Sequence, residues 1–125
     1  MLKIEIGLPP RTKKNSQRLV NVKGRVIPIP SKDYVAFEKA SAVFIRKPKE
    51  PIKGPVNVKC LYFMPTRRRV DLVNLEEATL DILVKYGVLE DDNCNVVESM
   101  DGSRVLYDKE RPRTEIEITE SEEQI

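Results

Sequence analysis

Apolar and charged residues alternate through Leu2-Lys3-Ile4-Glu5-Ile6-Gly7-Leu8, the period-two pattern of a strand buried on one face, and Pro9-Pro10 ends it. Residues 11–18 are polar and basic with no period, and read as an exposed loop. Lys23-Gly24 separates two short apolar runs within residues 20–29, as the turn of a hairpin does. Ser31 stands in N-cap position before a helix predicted to reach about Lys47, with Tyr34, Phe37, Ser41 and Phe44 on one face. Pro48 and Pro51 close that helix. Val56, Val58, Cys60, Tyr62 and Met64 repeat at every second residue, which predicts a central strand stopped by Pro65. The best helical pattern covers residues 71–86 and ends at Gly87, a left-handed C′ residue. A strand begins at Asn95-Val96-Val97, Asp101-Gly102 turns the chain, and residues 105–107 form the returning arm. Residues 114–119 alternate once more as a last strand. Short strands mixed with two main helices predict an α+β fold with a small mixed β-sheet. Residues 1–120 are expected to form one domain and residues 121–125 a disordered acidic tail.

Composition narrows the chemistry. A chain of 125 residues, 40% hydrophobic and 34% charged, suits one soluble core. No apolar run approaches the ~20 residues that span a bilayer, and no long apolar leader opens the chain, so a cytoplasmic protein without membrane contact is expected. The absence of histidine excludes Ser-His and Cys-His catalysis. With only Cys60 and Cys94 as thiols, a zinc site is disfavoured, and both cysteines are expected to be reduced. The net charge of +2 hides a division. Residues 1–70 hold 17 Lys+Arg against 4 Asp+Glu (+13), and residues 71–125 hold 5 against 16 (−11). The two halves either attract each other and tighten the fold, or one grips a polyanion while the other binds metal.

The second helix places its residues in stripes. Leu72, Leu75, Thr79, Ile82, Leu83 and Tyr86 share one apolar face, and Asn74, Glu77, Asp81 and Lys85 form a polar stripe. Val73, Leu80 and Val84 make a second apolar stripe, a surface that suits a partner subunit. Each carboxylate has an ordinary role: Asp71 as a helix cap, Glu76 and Glu77 at the positive helix end, Asp91-Asp92 as a solvated turn. Together they crowd negative charge that a hard dication, Mg²⁺ or Mn²⁺, would neutralise. The candidate ligands are Asp71, Glu77, Asp81, Asp91 and Asp92, and the candidate catalytic set is Asp71, Glu77, Asp81 and Asp92. Two cations about 3.5–4 Å apart clamp both oxygens of an in-line phosphoryl displacement. Arg67, Arg68 and Arg69 run into Asp71 and, with Lys13, Lys14, Arg18 and Lys85, are candidate DNA contacts.

The run Tyr62-Phe63-Met64-Pro65-Thr66-Arg67-Arg68-Arg69-Val70-Asp71-Leu72-Val73-Asn74-Leu75 resembles the RusA family of Holliday junction resolvases. So do residues 81–92, where a helix reaches Gly87, an apolar pair and Glu90-Asp91-Asp92, and so do Leu8-Pro9-Pro10 with Asn15 and the closing strand. The resemblance implies a homodimer that binds four-way DNA junctions and cuts symmetrically opposed strands with Mg²⁺ or Mn²⁺. The family's three essential aspartates fall on Asp71, Val73 and Asp92, and its helix lysine falls on Glu77. One carboxylate is lost at 73 and one gained a helical turn later, so Glu77, assisted by Asp81, is expected as a relocated ligand. The alternative is a catalytically degenerate protein that binds junctions without cutting.

Overall fold

The computed structural model describes residues 1–13 and 17–121, the side chains of Gln17, Arg18 and Pro30 excepted. Lys14, Asn15, the Arg18 side chain and residues 122–125 of the expected tail therefore lie outside the described residues. The elements are β1 (Leu2–Ile6), β2 (Gln17–Val22), β3 (Arg25–Pro30), α1 (Lys32–Ser41), β4 (Val56–Met64), α2 (Leu72–Lys85), β5 (Val97–Ser99), β6 (Arg104–Tyr107) and β7 (Arg113–Glu120). The fold is α+β with a mixed sheet and two helices, as the pattern predicted. No helix among the described residues is long and apolar enough to cross a membrane.

The sheet is organised by β4, the longest alternating run. Its Val56, Val58, Cys60 and Tyr62 are almost wholly buried. β7 pairs with it antiparallel and carries β1 on its other side, so Ile116 and Ile118 stand between Ile4 or Leu2 and Cys60 or Val58 in register. α2 covers this inner face with Leu75 and Leu83, and Val88 and Leu89 complete the core. Leu83 is 0% exposed; Leu83→Ala is expected to cost about 2–5 kcal/mol.

The other edge of β4 departs from expectation. β5 and β6 do not form a hairpin; both run parallel to β4, one after the other. The reason lies in side chains that replace ladder bonds where the edge steps. Asn57 Oδ1 accepts from Asp101 N at 2.7 Å and from Ser99 Oγ at 2.5 Å, and Ser103 Oγ accepts from Cys60 N at 3.0 Å. The Asp101-Gly102 turn is thus a bulge within one edge, not a reversal.

Ser31 caps α1 as predicted, its Oγ accepting from Tyr34 N at 3.1 Å. The helix ends at Ser41, well short of Lys47. Ser41 Oγ bonds Phe37 O at 2.7 Å, a single 3₁₀ turn follows at Ala42–Phe44, and Ile45 is extended. Lys23 and Gly24, both at positive φ, turn β2 into β3 as a separate two-stranded sheet. This hairpin leaves Leu19 and Val26 exposed. On α2, Leu75, Thr79, Ile82 and Leu83 of the predicted main face are buried and Leu72 and Tyr86 are half-buried, and the second apolar stripe is partly covered too. Leu80 and Val84 pack half-buried against the core, and Val73 alone is left 70% exposed. Among the described residues Cys60 and Cys94 are unpaired, the first buried and the second exposed.

Candidate functional site

Two features of α2 set the acidic residues. At its start, Asp71 is extended and caps the helix only through its backbone, its O accepting from Asn74 N at 3.1 Å and Leu75 N at 3.2 Å. The ordinary side-chain capping role is unused. The exposed carboxylate takes one hydrogen bond, from Asn74 Nδ2 at 3.2 Å. At its end the helix closes in a Schellman motif: Val88 N donates to Leu83 O at 2.9 Å and Gly87 N to Val84 O at 3.2 Å. Gly87 has φ 78, which supplies the left-handed conformation that the motif needs. Ile52 N then donates to Val88 O and Glu90 N to Ile52 O, each at 2.9 Å, which pins the acidic loop beside the entry to β4.

Within that loop the two aspartates divide. Asp91 Oδ1 accepts from Asp92 N at 2.7 Å and Oδ2 from Asn93 Nδ2 at 3.0 Å, which holds its carboxyl below the usual range. Asp91 shapes the loop. Asp92 is pushed the other way, by desolvation first, then by Asp91 and by the charge of Asp81. Asp81 and Asp92, eleven positions apart in sequence, therefore feel each other across the Schellman turn.

Asp81 carries the ion pair that best describes the site: Lys13 Nζ stands 2.5 Å from Asp81 Oδ2. The predicted phosphate contact at Lys13 is turned inward, as an ammonium occupying a cation position on a carboxylate. Beneath lies Tyr34, whose hydroxyl is pushed far up by burial and by the charges of Glu38, Asp81 and Glu77. Glu77 is exposed on the same stripe. Lys85 pairs with Glu38 and so ties α2 to α1. Among the described residues no three acidic, histidine or cysteine side chains stand close enough to hold a metal ion. Lys13 therefore holds Asp81, and Asp71 is not gathered with Asp81 and Asp92 into a set of three, so the described residues do not by themselves assemble a metal site.

The basic residues form a cleft of about 330 Å³, lined by residues 9–12 on one wall and 64–66 with 68–70 on the other. Arg11, Arg68 and Arg69 all line it and are exposed, and none has an acidic partner among the described residues. Thr12 and Thr66 add hydroxyls. Arg67 leaves the cleft and stacks 4.2 Å from the Tyr107 ring centroid, anchoring the run against β6. Three unneutralised guanidinium groups around a concave surface match a polyanion backbone. Sequence reasoning missed Arg11 and Tyr34. Arg11 sat in an aperiodic loop, and Tyr34 fell on the apolar face of α1, so neither carried a local signal.

A search of curated proteins returns no match. The model of the family described as endodeoxyribonuclease RusA matches residues 8–119, from the Pro-Pro turn through the arginine cleft and the acidic loop into the last strand. With most of its length accounted for in this way, the chain belongs to the RusA endodeoxyribonuclease family.

Proposed function

We propose that this protein resolves four-way DNA junctions as a homodimer, each copy hydrolysing one of two symmetrically opposed strands with Mg²⁺ or Mn²⁺. The observation that carries the reading is the cleft of Arg11, Arg68 and Arg69, unpaired among the described residues, followed in the chain by Asp71, whose carboxylate makes no capping bond to the helix backbone. The arginines hold backbone phosphates and set the register of the strand. Asp71, Glu77, Asp81 and Asp92 are the carboxylates this reading assigns to the cation, and no three of them stand together in the described residues. When bound, it polarises the phosphodiester and activates water for in-line attack. Lys13 must release Asp81 for this, and Asp91, through its loop bonds, keeps Asp92 presented. The test is incubation of the purified protein with a synthetic four-way junction in Mg²⁺ and then in EDTA. Paired nicks that EDTA suppresses are expected; binding without any cutting in Mg²⁺ or Mn²⁺ would sink the reading.

A second reading, a junction-binding protein that does not cut, is favoured by two observations. Val73 stands exposed and apolar where the family pattern has a carboxylate, and the described residues bring no three ligands together. Glu77→Ala separates the two. Loss of cleavage with retained junction binding supports a relocated ligand at 77, whereas undiminished cutting removes Glu77 from the mechanism.

A further inference from the structure

The loop that follows β1 is fastened beside the cleft it lines. It leaves the strand through Pro9 and Pro10, carries Arg11 exposed in the cleft, buries Thr12, and meets α2 at Lys13. Lys13 Nζ donates to Asp81 Oδ2 at 2.5 Å and stands 5.8 Å from the Tyr34 ring centroid, so one ammonium is held between α2 and α1. The two side chains of the pair are 31% and 33% exposed, more shielded than an ordinary solvated surface contact. The bond joins residues 68 positions apart. Arg11 itself belongs to no strand or helix and has no acidic partner among the described residues. A side chain in such a loop keeps one place only where the backbone is held on both sides of it. Pro9-Pro10 restrict one side, and the Lys13–Asp81 bond closes the other.

We propose that Asp81 is a positioning residue of the DNA cleft: by holding Lys13 it sets Arg11 across from Arg68 and Arg69 before DNA arrives. The contribution is preorganisation, since a guanidinium already in place loses less freedom when a phosphate binds it. Lys13 acts here as a tether and not as a phosphate contact. The role asks nothing of a cation, and Asp81 performs it in the cation-free protein. Its sign sets it apart from simple electrostatics. A carboxylate near a polyanion site repels the polyanion, so neutralising it, and freeing an ammonium besides, would ordinarily tighten DNA binding. Neutralising Asp81 is expected to weaken it. The proposal rests on the reading of the arginine cleft as the DNA surface, and the experiment separates the two failures.

The variants are Asp81→Asn, Arg11→Ala and the two combined, in the full chain. Affinity for a synthetic four-way junction is read by fluorescence anisotropy in EDTA over a range of salt, well below each variant's melting midpoint. Asp81→Asn is expected to weaken binding about fivefold, the cost of ordering one long side chain on binding. It is also expected to flatten the log–log salt slope toward that of Arg11→Ala, which lacks about 0.9 for one phosphate. In the Arg11→Ala background Asp81→Asn is expected to cost no further affinity. Equal or tighter binding by Asp81→Asn overturns the proposal. So does an undiminished fivefold loss in the Arg11→Ala background, which would mean that Asp81 does not act through Arg11. If Asp81→Asn does not fold, Lys13→Met breaks the same pair from the other side; its loss is expected to be coupled to that of Arg11→Ala, and additive losses overturn the proposal. Unchanged affinity and slope for Arg11→Ala alone instead overturn the place of Arg11 in the DNA cleft, and the proposal with it.

Discussion

Two clusters of charge in this molecule are built from the same residue types and solved in opposite ways. Around β7, Arg113 is nearly buried and lies 3.7 Å from the Phe63 ring centroid. It donates to Asp108 Oδ2 at 2.8 Å and Glu115 Oε2 at 2.7 Å, and approaches Glu5 Oε1 at 3.3 Å, while Arg111 reaches the same Glu5 at 2.9 Å. Every charge there has an opposite charge from its own chain. Along α2 and the following loop the balance fails. Among the described residues, Lys13 covers Asp81 alone, Asp92 is pushed up by its neighbours, and the Tyr34 hydroxyl is unpaired, while Arg11, Arg68 and Arg69 lack counter-charges in their cleft. Charge compensated internally stabilises a fold; charge left uncompensated is held for something from outside.

The largest expected effect breaks the uncompensated cluster. Asp71→Asn and Asp92→Asn should each lower single-turnover cleavage by about a hundredfold or more, as loss of a charge-stabilising group does. Asp92→Asn should also leave the melting temperature unchanged or raised, because it removes repulsion instead of a partner. A fold weakened by Asp92→Asn would place that residue among the structural charges. Next comes the cleft. Alanine at Arg11, Arg68 and Arg69 should flatten the salt dependence of junction binding by about 0.9 in log–log slope for each phosphate no longer neutralised. An unchanged slope for Arg11→Ala alone would remove that residue from the DNA surface.

The compensated cluster should answer differently. Arg113→Ala is expected to destabilise the protein by about 2 kcal/mol, leaving several carboxylates without their cation, while the salt slope of DNA binding stays as it was. Denaturant unfolding and a binding titration read both halves of that statement. The smallest effect is the pH response of Asp108. The backbone N–H of Arg111 and the Arg113 guanidinium hold its carboxyl below the usual range. A lowered folded-state value contributes stability above the ordinary aspartate pKa, lost as pH falls through the lowered one. Asp108→Asn should therefore reduce the melting temperature near neutral pH and narrow its gap to wild type in strong acid. A constant gap across pH would rule out Asp108 as the source.

Local chemistry made much of this legible. Strict alternation announced β1, β4 and β7 because a strand has a period of two and one buried face. Ser31, the Lys23-Gly24 turn and Gly87 announced their cap, hairpin and Schellman closure, since each depends on a residue's own backbone preference. The arginines, Asp71 and the acidic loop could be read as one functional stretch. Failures occurred where partners are distant. β6 ran on instead of returning because Asn57 and Ser103 satisfy the kinked edge, and α1 gave way after Ser41 to a single 3₁₀ turn and an extended Ile45. On the second stripe of α2, Leu80 and Val84 lie partly buried against their own core while Val73 stays exposed.

The sequence by itself determined which segments are strands and helices, where the main turns fall and which family the residues from 62 to 92 belong to, since those signals are written in period and spacing. Only the tertiary structure decided that Lys13 would sit on Asp81, that Arg11 would join Arg68 and Arg69, and that the Tyr34 hydroxyl would be buried without a partner among the described residues. Such meetings follow from sheet register and the closure of loops dozens of residues long. A local pattern reports how each element turns its own faces, but not which distant element comes to meet them.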